Sequence, residues 1–415
     1  MSVAAPPQSL SAFVRANAPW LGAGALMTFS SSFGQTFFIA LFAGEIRAEF
    51  GLSHGDWGGI YTLGTLMSAA LMMWAGGLTD RFRARTLCTG LMVVFALVCA
   101  FAASVWSPAA LAAAVFGLRF CGQGMLYHTA IVSMGRWFAR ARGRAVAVCT
   151  LGFSVGEAVL PVLFVALIGL VGWRGAWWAA AGLALCLAPL FPRLLRTERT
   201  PRSVPEAEQA AGLQGRHWTR GEALRHWLFW AVLTGVLAPP VFGTAFFFHQ
   251  VHLTELKGWP LEGFAALFAL YVAVAVPATF AGGWAADRYG AARVLALWPG
   301  LLAVGLGVAG AFQPFWAAAL TMALLGAMQG FGSAASGAFW PEIYGTRNLG
   351  SIRALATSSM VFATAVGPGV SGWLIDAGVG FETQLLGMAG WSAVMAAGFA
   401  WIGARVERER AASPG

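Results

Sequence analysis

Gly76-Gly77-Leu78-Thr79-Asp80-Arg81-Phe82-Arg83-Ala84-Arg85 is a dense polar turn between two long apolar runs. Half a chain further on, Gly283-Trp284-Ala285-Ala286-Asp287-Arg288-Tyr289-Gly290, followed by Arg293, repeats the pattern G-x-x-x-D-R. This second copy again stands where one apolar run ends and the next begins. A polar turn met once per half implies two copies of one unit.

Composition says what kind of unit. The 415 residues are 58% hydrophobic and 10% charged, with a mean hydropathy of +0.70, too little polar surface to coat a water-soluble body. The net charge of +9 does not form a nucleic-acid patch, because the arginines are spread through short loops. Cys88, Cys99, Cys121, Cys149 and Cys186 all fall inside apolar runs, so neither a disulfide nor a metal centre is expected. Met1 to Ala18 is small and polar, and the apolar run after it is too long for a signal-peptide core, so no cleavage is expected.

A membrane span needs about 20 apolar residues. That template predicts helices over 18–43, 57–77, 87–106, 109–137, 145–170, 175–195, 227–250, 261–286, 294–312, 315–340, 353–377 and 383–404. The expected fold is therefore all-α, twelve transmembrane helices in two pseudo-symmetric six-helix bundles over 1–192 and 227–415. A polar cytoplasmic linker at 193–226, with one surface helix, joins them. Loops of one parity carry 22 of the 26 basic residues, the opposite loops only Arg47, Arg174 and Lys257. Positive loops stay in the cytoplasm, which puts both termini there, with the chain multi-pass in the cell inner (plasma) membrane. Trp57, Trp106, Trp137, Trp173, Trp227, Trp259 and Trp340 stand near predicted span ends, where interfacial aromatic belts form.

The repeated turn, placed after the second and eighth of twelve spans, resembles the signature of the major facilitator superfamily of secondary transporters. The first copy has Arg83 where that family commonly has Gly. The second keeps Gly290 but has Ala291 and Ala292 where basic residues usually follow. Gly122-Gln123-Gly124, Arg136-Trp137-Phe138, Arg142-Gly143-Arg144-Ala145 and Gly172-Trp173-Arg174 look like the oxalate–formate antiporter and monocarboxylate transporter branch. Pro341-Glu342-Ile343-Tyr344-Gly345 with Gly350-Ser351-Ile352-Arg353 is similar to the matching loop of the other half. That branch typically carries an anion-binding Arg in span eight, where this chain has Thr279. The resemblance implies a gating role for Gly76, Asp80, Arg81, Arg85, Gly283, Asp287 and Arg288. In it Asp80 meets the N-terminus of span eleven and holds the cytoplasmic side shut, helped by ion pairs of Arg81 and Arg85.

Ionised groups inside spans are costly, so each is a functional candidate. Glu157 stands about 12 residues into span five, roughly 18 Å deep, and Arg119 about 10 residues into span four from the other side, roughly 15 Å deep. Two readings stand. Glu157 carries protons with Arg119 as its modulator or as an anion anchor, or the two form a static ion pair pinning span four to span five. Arg119, Gln123 and Tyr127 recur at i, i+4 and i+8, so they share one helix face expected to line a cavity. Gln35 in span one and Gln329 in span ten are further candidates for that lining, or for interhelical hydrogen bonds. Pro239-Pro240 should kink span seven, with His249 and His252 at its outer end as candidates for a proton-sensing gate or as bystanders. Gly152 and Gly156, and Gly367, Gly369 and Gly372, allow close helix approach.

The expected function is secondary active transport, not enzymatic catalysis. One small organic solute, an organic anion such as a carboxylate first, moves by alternating access through a midplane site, coupled to protons. Efflux of amphiphilic drug-like compounds is the second reading, and a membrane sensor or enzyme on this scaffold a remote third. No nucleotide-binding P-loop appears. The partners expected are the solute, protons and lipid, with no cofactor, no metal and no nucleic acid, and the chain is expected as a monomer.

Overall fold

The computed structural model describes residues 9–138, 141–197, 213, 217–345 and 347–412, and every regular element among them is a helix. Eight of these helices are long and apolar enough to cross a membrane, nine if Ala18–Gly34 and Thr36–Phe50, bent by 45° at a break, form one span. Two further facts bring the described helices to the twelve expected. Arg142–Leu187 runs on for 46 residues, but Gly172 at φ 70°, ψ 170° divides it into spans five and six. Span two (His54–Ala75, 22 residues) and span eleven (Leu349–Asp376, 28 residues) have the length to cross as well. The others are span three (Ala84–Ala103), four (Pro108–Trp137), seven (Trp227–Phe248), eight (Leu261–Tyr289), nine (Ala291–Ala311), ten (Trp316–Tyr344) and twelve (Phe381–Val406). A backbone in hydrocarbon must satisfy its own hydrogen bonds, and a helix does this within one segment.

The ends of the spans are written in local chemistry. Span four opens on Ser107, whose hydroxyl accepts from Ala110 N at 3.2 Å ahead of Pro108 at the first helical position. Span two opens on a reciprocal box in which Ser53 N donates to Asp56 and Asp56 N to the Ser53 hydroxyl, both at 3.0 Å. Span one ends on Gly51 at φ 62° and the helix after span seven on Gly258 at φ 64°, left-handed caps as far apart in the chain as Asp80 and Asp287. The repeat is thus visible in backbone conformation as well as in motif. In the linker, Thr219 and Glu222 form a capping box that starts a short helix, Arg220–Arg225.

The chain forms two compact units. The first comprises Met1–Phe38, Met67–Leu160 and Leu167–Pro205; the second comprises Ile39–Leu66, Pro161–Ala166 and Glu206–Gly415. Thus the Ile39–Phe50 end of span one and the first half of span two group with the second unit rather than with the rest of their own half.

Small residues set the closest approaches within each unit. In the first, a Cβ on Gly122 would stand 2.6 Å from the Gly34 Cα, and one on Gly152 would collide with the Ala25 carbonyl and Thr28. In the second, Gly330 lies against Ala275 and Thr279 of span eight, and Gly367 against the Val241 carbonyl of span seven. Without a hydrophobic force between helices in lipid, such contacts carry much of the association. The tryptophans depart from the expected belt. Trp57, Trp173, Trp259 and Trp340 are buried, whereas Trp106 and Trp227 are exposed. The Trp259 indole donates to the Gln313 carbonyl at 2.6 Å, so its polar edge finds a protein partner in place of the interface.

Candidate functional site

In the first unit the candidate residues gather around the break in span one. Ala18–Ser31 ends in a 3₁₀ turn over Ser32–Gly34, Gln35 is extended at φ −87°, ψ 155°, and the helix restarts at Thr36. A helix broken in an apolar interior leaves carbonyls without partners. Arg119 answers one of them. Its Nη1 donates to the Gly34 carbonyl at 3.2 Å and to the Thr36 hydroxyl at 3.4 Å, and its side chain is only 1% exposed.

Span four is not a regular α-helix here. Arg119–Leu126 is a π turn whose glycines, Gly122 and Gly124, permit the approach to Gly34 and to Met72. The extra residue per turn changes the facing of the predicted i, i+4, i+8 stripe. Arg119 is wholly buried at the break, while Gln123 and Tyr127 are half-buried. The Tyr127 ring packs edge-on to Phe153 of span five at 5.9 Å, and Phe153 meets Phe37 beyond the break at 6.1 Å. Glu157 stands one turn on from Phe153, half-buried, beside Gly156, whose α-carbon abuts Ser32. The Tyr127 hydroxyl lies within electrostatic reach of Glu157. Among the described residues no hydrogen bond or ion pair joins Arg119 to Glu157; the arginine holds the backbone of span one instead. Gln35 is half-buried in the same break. Gln329 belongs to the second unit and is exposed.

The two polar turns are held differently. In the first, the Thr79 hydroxyl donates to the Gly76 carbonyl at 2.9 Å, and Arg136, from the end of span four, donates to the Thr79 carbonyl at 2.8 Å. Arg81 and Arg85 are exposed; the side chain of Asp80, and with it the expected contact to span eleven, lies outside the described residues. In the second turn Gly283 has open space around it, Asp287 and Arg288 are exposed, and the Arg288 guanidinium lies 5.8 Å from the Tyr289 ring. There Glu342, from the end of span ten, accepts from the Ala291 amide at 2.9 Å. Arg136 and Glu342 are absent from the gating set that the motif alone suggests. Their signal in the sequence was their place, since both stand in the basic-loop segments that match between halves.

A second polar cluster lies in the second unit, on the face opposite the basic loops. His54 at the start of span two has its ring 4.0 Å from His252 and 6.0 Å from His249. Arg47 lines the same cleft with Ala43, Gly44, Trp57, Phe248 and Val251. The sequence predicted His249 and His252 as neighbours; His54 joins them only through the fold.

The Major Facilitator Superfamily model matches residues 24–297 and 241–415. Human Monocarboxylate transporter 11 is 28% identical over 301 residues, 68% of this chain and 60% of that protein. Mouse Monocarboxylate transporter 14 is 35% identical over 94 residues, 22% of this chain and 18% of that protein. The matches therefore span less than two thirds of these relatives' lengths. Among solved structures, a bacterial homologue of the human lysosomal transporter Spinster, in an inward-facing and unoccupied conformation, superposes with a TM-score of 0.71. It is 15% identical, over 95% of this chain and 98% of that one. A nucleoside transporter gives a TM-score of 0.68 at 14% identity, over 92% of this chain and 98% of that one. At such identities the likeness is one of fold.

Proposed function

The chain belongs to the Major Facilitator Superfamily, a family of membrane transporters rather than enzymes, and on that premise we propose that it carries a small organic anion, a carboxylate first, by proton-coupled alternating access. The observation that carries this reading is Glu157, an acidic residue on the apolar fifth span, beside the aromatic wall of Tyr127 and Phe153. Acidic groups at membrane depth mark proton and solute paths, because nothing else offsets their cost there. Glu157 is the proton carrier. Gln123, Tyr127 and Gln35, half-buried around the broken span of the first unit, are the polar contacts for the solute. Arg119 is the anion anchor as well as the donor to the Gly34 carbonyl, so solute arriving at its guanidinium changes the strength of that grip on span one.

The carboxylate preference draws on the names of the two monocarboxylate transporters the chain resembles. The basic loops support an orientation with both termini in the cytoplasm and the span bundles over 1–192 and 227–415, within a cell inner membrane. The rings of Phe37, Phe153 and Tyr127 around the same break favour amphiphilic compounds as the second class of cargo.

Reconstituted protein settles the matter with two assays on Glu157→Gln. Counterflow with carboxylates, sugars and cationic dyes identifies the solute class. Accumulation driven by an imposed pH gradient should then be lost in the variant while exchange persists. Uphill uptake at the native level would remove Glu157 from proton coupling, and exchange of dyes without carboxylates would favour the second cargo class.

A further inference from the structure

The histidine cluster sits at the joint where the ends of spans one and two meet spans seven and eleven, all within the second unit. The joint is close-packed and partly polar. Asp376, at the end of span eleven, accepts from the first amides of span two, His54 N at 3.1 Å and Gly55 N at 2.7 Å, capping that helix from a different element. One to two turns on, the Thr62 hydroxyl donates to the Ala365 carbonyl at 2.7 Å, and a Cβ on Gly58 would stand 2.6 Å from the Pro368 carbonyl. Trp57 stacks on Phe248 at 5.6 Å, and Tyr61 meets the same ring at 4.7 Å. His249, 3% exposed, reaches the Pro368 carbonyl at 3.3 Å through Nε2.

Three imidazoles and one guanidinium therefore lie in a joint with little room to relax. Other charges surround them. Span one brings Glu45, Arg47 and Glu49, span two Asp56, which is engaged with Ser53, and span eleven Asp376. The helix Gln250–Lys257 brings Glu255, on the Arg47 side, and Lys257, which is paired with Glu382 of span twelve at 2.5 Å. The cations nearest His54 and His252 are each other and Arg47.

We propose that His54, His249 and His252 form an acid-sensitive lock on this joint, closed while the imidazoles are neutral and released when protonation sets like charges beside Arg47. Geometry carries the proposal: two rings 4.0 Å apart and a third at 6.0 Å cannot all become cations without separating the elements that hold them. In agreement, burial, and next to it the charge of Arg47, holds the His252 imidazole below the ordinary histidine range. The sign follows. A group whose protonation is disfavoured in the closed joint stabilises that joint above about pH 6.5, the ordinary histidine value, and the stabilisation is lost as pH falls below it. Acid on the face opposite the basic loops thus opens the joint, which rests on the transporter reading for its purpose but not for its chemistry.

The test measures distance, not transport. Spin labels at Leu52→Cys and Ala377→Cys, in a Cys186→Ser background and in nanodiscs without solute, report the separation across the joint by pulsed electron resonance at pH 7.5 and 5.0. The expected result is a short distance at pH 7.5 and a longer population at pH 5.0. The triple variant His54→Gln, His249→Gln, His252→Gln should keep the short distance at both. Arg47→Gln should move the midpoint of the opening transition to lower pH, because with one like charge gone the closed joint tolerates protonated imidazoles better. A distance that ignores pH, or a shift of the same size in the triple variant, overturns the lock. Should the triple variant fail to assemble, an unmoved midpoint in Arg47→Gln does the same. Exchange assays on the same proteins separate such a failure from any failure of the transport reading.

Discussion

The turn at Gly76–Arg85 and its repeat at Gly283–Arg293 occupy the same place in the two halves, yet they are clasped by opposite charges. In the first, the short helix Leu78–Arg81 presents its last carbonyls, and Arg136 donates to one of them. In the second, the helix Ala291–Val294 presents its first amides, and Glu342 accepts from one. Each clasp comes from the basic-loop end of the fourth span of its half, span four or span ten. A helix C-terminus favours a cation and an N-terminus an anion, so the sign of the clasp follows from which helix end the turn exposes. The backbone explains why the ends differ. The first turn passes through Phe82 at φ −111°, ψ 147° and Arg83 at φ −62°, ψ 136°, both ordinary extended conformations. The second pivots on Gly290 at φ 84°, ψ 140° and begins a new helix at once. Duplication kept the position of the grip and let its polarity follow the local fold.

Reversing the clasps should break this comparison most visibly. Arg136→Glu would set a carboxylate against the Thr79 carbonyl and Glu342→Arg a guanidinium against the Ala291 amide, each costing about 3 kcal/mol, the upper range for hydrogen bonds to charged groups. Thermal unfolding in detergent measures it, and Arg136→Gln and Glu342→Gln should fall about half as far, at roughly 1.5 kcal/mol. Equal losses in the reversed and neutral variants would mean that contact, not charge, holds the turns. Next comes Gly290→Ala. The added Cβ has room, its nearest neighbour being the Glu342 carboxylate at 3.7 Å, so the cost is in backbone conformation alone, about 2 kcal/mol. No loss in that variant would show that the second turn can take the conformation of the first.

The sequence made the spans legible because hydrocarbon demands long apolar runs, and the linker and polar turns legible by contrast with them. It made Arg119 conspicuous but not its neighbour. The group Arg119 binds is the Gly34 carbonyl, exposed by a break that depends on Gly34 and Gly122 meeting across spans one and four. A backbone carbonyl has no letter in a sequence, and a π turn in span four rotates a stripe that a straight helix would keep together. The pairing of Arg119 with Glu157 looked natural from equal depth; depth fixes one coordinate, and facing is decided by packing. His54 was missed for a similar reason, since only the fold of the second unit brings it beside His252.

The smallest effect sharpens the comparison furthest. Arg83 fills the position that Gly290 fills in the repeat, and its φ of −62° is open to any residue. Arg83→Gly would therefore relieve no strain in the folded chain. It would add conformational freedom to the unfolded one, a loss of about 0.5 kcal/mol. It would also remove an exposed side chain that has contacts of its own and one basic residue from a loop that carries three arginines, Arg81, Arg83 and Arg85. Thermal midpoint and sidedness of the termini, measured together, divide these parts. A midpoint lower by only a degree or so with unchanged sidedness would mean the first turn does not use the special conformation of the second. A clear gain in stability would mean the reverse, that Arg83 had been forcing the first turn away from a glycine pivot it would otherwise adopt. The two halves would then be alike in backbone preference, and their opposite clasps would need a cause other than the turn.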